Sequence, residues 1–130
     1  MPKMPDGGEM SRPFLPAQDL AVSKAFYEKL GFTKLLDGDV AIFSTGRSGF
    51  ILQEGNFPGL AENFMMQLMV DDLNAWWEHI SSLDLANAFG VPAPHAPATQ
   101  PWGLRVAYVI DPSGVLWHFA ERRPECAWDS

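Results

Sequence analysis

One cysteine, Cys126, occurs in the 130 residues, so no disulfide within the chain is available to staple the fold. No apolar run approaches the roughly 18 residues that a membrane-crossing helix requires. The first ten residues, MPKMPDGGEM, contain no apolar core of the kind a secretory signal carries. They read as a loose leader, with Met10 as an alternative start. A cytoplasmic protein is the simplest expectation from these absences. Positive charge is also scarce. Between Arg47 and Arg105 there is no Lys or Arg, while the same stretch holds Glu54, Glu62, Asp71, Asp72, Glu78 and Asp84. The formal net charge is −7. Phosphate backbones need clustered cations, so nucleic acid is excluded as a partner. A cationic small molecule would be attracted instead. The apolar share, 47%, is that of a folded domain, and the length suits one domain with a real core.

What is present is strongly patterned. Asp19 is an N-cap for Leu20-Ala-Val-Ser-Lys-Ala-Phe-Tyr-Glu-Lys-Leu30, whose Leu20, Val22, Ala25, Phe26 and Leu30 recur at helical spacing. Gly31 ends that helix. The Pro-flanked segment Arg12 to Ala17 before it suits an edge or terminal strand. Short apolar runs follow at Phe32 to Leu36, Val40 to Ser44 and Phe50 to Glu54, divided by Gly-containing turns. The order is β-α-β-β-β. The second half repeats it. A strand from Phe64 to Val70 precedes a helix capped by Asp72, with Leu73, Trp76, Trp77, Ile80 and Leu83 on or near one face. Neighbouring Trp76 and Trp77 diverge by about 100 degrees, so one belongs in the core and the other at a groove or subunit surface. Further strands are expected near Gly90-Val91, at Leu104 to Ile110 and at Val115 to Glu121. Asp19-Leu20 matches Asp72-Leu73 at an offset of 53, and Ser48 to Gln53 matches Ser113 to His118 at an offset of 65. The second module is therefore longer, and the Pro-rich residues 92–97 are the expected insertion, a loop long enough to be functional. The expected layout is a leader (1–10), one domain (11–123) of two modules (about 11–57 and 62–122), and a tail (124–130).

Three features carry a resemblance. They are Leu15-Pro-Ala-Gln-Asp19 with Ala25-Phe-Tyr-Glu-Lys-Leu-Gly-Phe32, the loop Gln100-Pro-Trp-Gly103, and Asp111-Pro-Ser-Gly114 with His118-Phe-Ala-Glu121. Tandem modules with these features resemble the vicinal oxygen chelate superfamily over about Arg12 to Arg122. Within it they are most similar to bleomycin-resistance proteins. The resemblance implies an α+β fold of paired β-α-β-β-β modules in a homodimer, with exchange of the first strand between subunits as one way to cover open edges. Enzymes of the superfamily, such as glyoxalase I and extradiol dioxygenases, place metal ligands on the first and last strands of each module. Carried over, those positions are Arg12, Gln53, Met65 and His118. Arg stays protonated and cannot coordinate, and Met is a poor ligand for hard ions, which leaves His118 as the one conventional ligand. A catalytic site normally needs three, so neither a metal nor another cofactor is expected. His79 and His95 are read as structural or solvated.

What remains is a metal-free binding protein. The resemblance implies a drug-sequestering groove at the subunit interface, where aromatics stack a flat cationic ligand. Trp102, between Pro101 and Gly103, is the stacking candidate, and His118 the floor of the groove. Arg12, Gln53 and Met65 are candidate contacts. The second aromatic of the family's sandwich falls at Val40-Ala41 here, with Phe43 the nearest aromatic. The alternative function is a metal-dependent lyase or dioxygenase of the same superfamily.

Overall fold

The computed structural model describes residues 3, 5–8, 10–55 and 58–122. Cys126, the 124–130 tail and part of the 1–10 leader lie outside them. Strand β1 (Phe14–Ala17) leads through Asp19 into α1 (Leu20–Leu30), followed by β2 (Thr33–Asp37), β3 (Val40–Ser44) and β4 (Gly49–Glu54). A single 3-10 turn (Ala61–Asn63) connects to β5 (Met65–Val70), α2 (Leu73–Ser82), α3 (Leu85–Phe89), β6 (His95–Thr99), β7 (Arg105–Ile110) and β8 (Leu116–Glu121). The local chemistry explains both long helices. The Asp19 carboxylate accepts from the Val22 N–H at 3.3 Å, and Asp72 accepts from the Ala75 N–H at 3.0 Å. Gly31, with φ 109°, closes α1 in the left-handed conformation that side chains other than glycine rarely adopt.

Two four-stranded sheets result, ordered β1-β4-β3-β2 and β5-β8-β7-β6. The first pair in each is parallel and the others are antiparallel. The same strand order twice over confirms the tandem-module reading and the α+β fold. One face of each sheet packs into a shared core. Phe43, Phe50 and Leu52 come from the first module, and Val109, Trp117 and Phe119 from the second. Aromatic rings knit the modules together, with Trp117 5.3 Å from Phe32, 5.4 Å from Phe50 and 5.8 Å from Tyr27.

A buried polar link crosses the same boundary. Trp117 Nε1–H donates to Tyr27 Oη at 2.8 Å, and Tyr27 Oη–H donates to Asp111 Oδ2 at 2.6 Å. Asp111 Oδ1 accepts from the backbone N–H groups of Ser113, Gly114 and Val115, each at 2.9 Å. Burial pushes the Asp111 carboxyl up, against the lowering effect of those four donors. Every polar atom of the trio with an available partner has one, which is the condition for a buried network to stabilise rather than cost.

Two expectations are corrected. No strand forms at Gly90-Val91. The longer second module spends its extra residues on α3, which Gly90 closes at φ 68°, and Val91 is buried as loop. The strand falls instead on His95–Thr99, inside the stretch expected to be a loop. Pro97 disqualifies a central strand, but β6 is an edge strand, where a missing N–H is tolerated, and its pairing with β7 is irregular between His95 and Ala98. The second correction concerns the repeat. Phe14 pairs with Ile51, and its counterpart Gln67 (14 + 53 = 67) pairs with His118. His118 therefore corresponds to Ile51, an offset of 67, and not to Gln53. The turn between β7 and β8 is longer than that between β3 and β4, so matching turn residues misaligns the strands beyond them.

Candidate functional site

Period-2 alternation decides which side chains can meet a ligand. On β8, Trp117 and Phe119 enter the core, so Leu116 and His118 lie on the opposite face. On β5, Met65 and Gln67 share that face, with Gln67 directly opposite His118. On the first sheet the corresponding face carries Phe14, Ile42, Ile51 and Gln53. These are the faces turned away from the core. Several of their apolar side chains are open to solvent, with Met65 58% and Phe14 54% exposed.

Around His118 the second sheet forms a cavity of about 330 Å³ lined by Met65, Met66, Gln67 and His118. Tyr108, opposite His118 on β7, presents its ring nearly perpendicular to the imidazole at 4.8 Å, and His95 on β6 adds a third ring 6.2 Å from Tyr108. Partial burial lowers the His118 pKa, which favours the neutral form of the imidazole. Its Nε2 is buried and has no hydrogen-bond partner among the described residues. A neutral ring among apolar neighbours suits a pocket wall.

Trp102 stands apart from this cavity. It is 57% exposed on the turn between β6 and β7. Hydrogen bonds fix that turn. The Gln100 N–H donates to the Leu104 carbonyl at 2.8 Å, and the Gly103 N–H to the Gln100 carbonyl at 2.9 Å. Gly103 takes φ 100°. The indole is thus held in solvent by a rigid frame and is not an anchor buried against the sheet. From Tyr108, the partner of His118, back to Arg105 is three residues of strand, about 10 Å, and the turn lies beyond. A ligand touching both Trp102 and His118 must be elongated.

The remaining candidates separate further. Arg12 and Gln53 belong to the first sheet, at opposite ends of β4. Arg12 lies against Gly49, whereas Gln53 pairs with Pro16 and Val40. Phe43 is a correction. It is fully buried, stacked on Phe50 at 5.6 Å and packed on Tyr27 at 5.8 Å, so it cannot contact a ligand. Its register opposite Phe50 fixes it to the core face. Trp76 and Trp77 are both half-buried and both pack against the core. His79 is structural: its Nε2–H donates to the Leu30 carbonyl at 2.7 Å and caps α1. Sequence reasoning missed Tyr108 and Gln67. Alternation along β5 and β7 was their signal, but it needed a register.

The divalent metal of superfamily enzymes does not fit these residues. The four carried-over positions offer a guanidinium, a carboxamide, a thioether and one imidazole. Among the described residues no group of three or more His, Cys, Asp or Glu side chains is gathered. The acidic run is dispersed as well. Glu54 accepts from the Leu20 N–H, Asp72 caps α2, Asp71 pairs with Arg122 and Asp84 accepts from Asn87. Any attraction for a cation is a field of the whole molecule and not contact with a carboxylate cluster.

Known proteins share this fold. The family model described as the Glyoxalase/Bleomycin resistance protein/Dioxygenase superfamily matches residues 10–119. A bleomycin resistance protein of Klebsiella pneumoniae is 33% identical over 112 residues, covering 83% of this chain and 88% of its own. A bleomycin-binding protein solved in complex with bleomycin superposes with TM-score 0.74 at 31% identity, covering 88% of this chain and 99% of its own. A bleomycin-binding protein from bleomycin-producing Streptomyces verticillus, complexed with copper(II)-bleomycin, gives TM-score 0.76 at 26% identity, covering 95% and 100%. On its strand order, its tandem modules and these matches, the chain belongs to the glyoxalase/bleomycin resistance protein/dioxygenase superfamily.

Proposed function

We propose that this protein sequesters a flat, cationic, bleomycin-like molecule in grooves between two copies of the chain, without a metal of its own and without catalysing a reaction on it. The observation that carries this reading is Trp102, an indole held out in solvent by a hydrogen-bonded turn. The relatives, one 33% identical and one solved with bleomycin bound, supply the ligand class. A heteroaromatic group stacked on such a ring gains about 1–3 kcal/mol. The separation of Trp102 from the His118 cavity fits a long ligand whose flat end meets the indole while another part reaches Met65, Gln67 and His118. The net charge of −7 draws the cation in.

The uncovered sheet faces support a dimer. A helix-free face carrying Phe14, Leu36, Ile42 and Ile51, and another carrying Met65 and Leu116, present apolar side chains that the single chain does not cover. Juxtaposing the first sheet of one copy with the second sheet of the other covers both and encloses two equivalent grooves, as a C₂ pair must. In the single chain β1 pairs with its own β4, and exchanging β1 would repeat that parallel register across the dimer. Light scattering at micromolar concentration is expected to give twice the 14.4 kDa chain mass. A stable monomer at that concentration would remove the groove. The function is tested by titration with bleomycin, taken up below.

A further inference from the structure

Four of the eight Lys and Arg among the described residues are neutralised locally. Lys24 and Lys34 pair with Asp37, Lys34 also with Glu28, Arg105 with Glu121 and Arg122 with Asp71. Among the described residues the other four, Lys3, Arg12, Lys29 and Arg47, have no carboxylate within ion-pair distance, and of these Arg12 and Arg47 lie close together in the fold. Both belong to one corner of the first sheet. Arg12 precedes β1 and lies against Gly49, the first residue of β4. Arg47 is exposed in the turn that joins β3 to β4, two residues earlier.

The corner is shaped around Arg12. A Cβ on Gly49 would stand 3.4 Å from Arg12 Nε and would collide with the Phe43 carbonyl oxygen at 2.5 Å, so the absence of a side chain there seats the guanidinium stem. Arg12 Nε is buried and has no hydrogen-bond partner among the described residues. The turn is hydroxyl-rich and free of acid: residues 40–53 contain Ser44, Thr45 and Ser48 and no Asp or Glu. Ser44 Oγ is committed to the turn itself, donating to the Gly46 carbonyl at 3.1 Å and accepting from the Gly46 N–H at 3.2 Å. The Thr45 N–H donates to the Ser48 carbonyl at 3.0 Å. The result is a fixed turn that carries Arg47 two residues from Gly49, the glycine against which the half-buried Arg12 lies.

We propose that this corner is an oxyanion-binding subsite, taking a sulfate, phosphate or carboxylate group between Arg12 and Arg47. A guanidinium stays charged at every accessible pH, and its planar donors match two oxygens of such a group. In a molecule of net charge −7, anions are repelled everywhere except where cations are left unpaired. The subsite gives the first sheet's open face a positive end, so a ligand carrying an acidic group opposite a flat cationic one would be held at both. The inference stands without the drug-binding reading, because simple anions probe it.

The experiment is a ¹H–¹⁵N NMR titration of the full chain with sodium sulfate, phosphate and acetate, against sodium chloride at equal ionic strength. Saturable shifts confined to residues near 11–14 and 44–50 are expected with at least one oxyanion and not with chloride; the tetrahedral and carboxylate arms identify the preferred group. Arg12→Gln should weaken that binding about tenfold or more, the loss expected for a charge-assisted hydrogen bond, and Arg47→Gln by less. Shifts equal in chloride, shifts spread over the surface, or unchanged affinity in Arg12→Gln would each overturn the subsite. So would a wild-type protein silent to all three anions whose dimer dissociates on Arg12→Gln, because Arg12 would then be pairing with the partner subunit. The wild-type localisation decides the matter even if the variant folds poorly.

Discussion

Trp117→Ala should cost about 3–5 kcal/mol of folding free energy, the range for deleting a buried tryptophan or phenylalanine side chain. Trp117 is 1% exposed, and its ring contacts Tyr27 and Phe50 from one module and Phe119 from its own. Truncation opens a cavity at the seam where the two modules share one core, and the rigid rings around it cannot collapse to fill the space. It also strips Tyr27 Oη of the donor that completes its bonding. Native domains are stable by about 5–15 kcal/mol, so this one change would remove a fifth or more of that margin. Equilibrium denaturation should show a lower midpoint with an unchanged slope. Trp117→Phe separates the two contributions, because it retains most of the packing and removes the indole N–H, with an expected cost of about 1–2 kcal/mol. A loss below about 1.5 kcal/mol for the alanine variant would mean that the modules do not depend on this shared core.

Trp102→Ala should have the opposite profile. The side chain is 57% exposed and its turn is held by backbone bonds that do not involve the indole, so stability should change by no more than about 0.5 kcal/mol, as for other surface sites. Affinity for bleomycin should fall about 5- to 150-fold, the equivalent of 1–3 kcal/mol of lost stacking. Calorimetric titration of both proteins, with denaturation curves alongside, separates binding from folding. A stability loss comparable to that of Trp117→Ala would make Trp102 a packing residue, and unchanged affinity would remove it from the groove.

The two long helices and the module repeat were legible in the sequence because they rest on local chemistry. Asp19 and Asp72 act within three residues of themselves, and Gly31 stops α1 by its own backbone freedom. Trp102 was legible for the same reason, since a Pro-Trp-Gly turn projects its middle residue without reference to the rest of the fold. Whatever depended on register was not. Phe43 sits one residue from Ile42, and only pairing with Phe50 places it in the core and not on the open face. The equivalence of Gln53 with His118 failed by two residues because Gly49 is the first residue of β4, whereas its match Gly114 lies two residues before β8. β6 was hidden because Pro97 signals a loop wherever the edge position of the strand is unknown. The Tyr27–Asp111 bond joins residues 84 apart in the chain, and no local pattern announces it.

The central claim is that this chain binds a bleomycin-type molecule in grooves built by a dimer. Isothermal titration of the purified wild-type protein with bleomycin tests it most directly. The account predicts saturable binding at one drug molecule per chain, as two equivalent grooves of a C₂ dimer require, accompanied by a rise in melting temperature as drug is added. A titration flat through the micromolar range, with no thermal shift from a protein that is folded and dimeric, would contradict it.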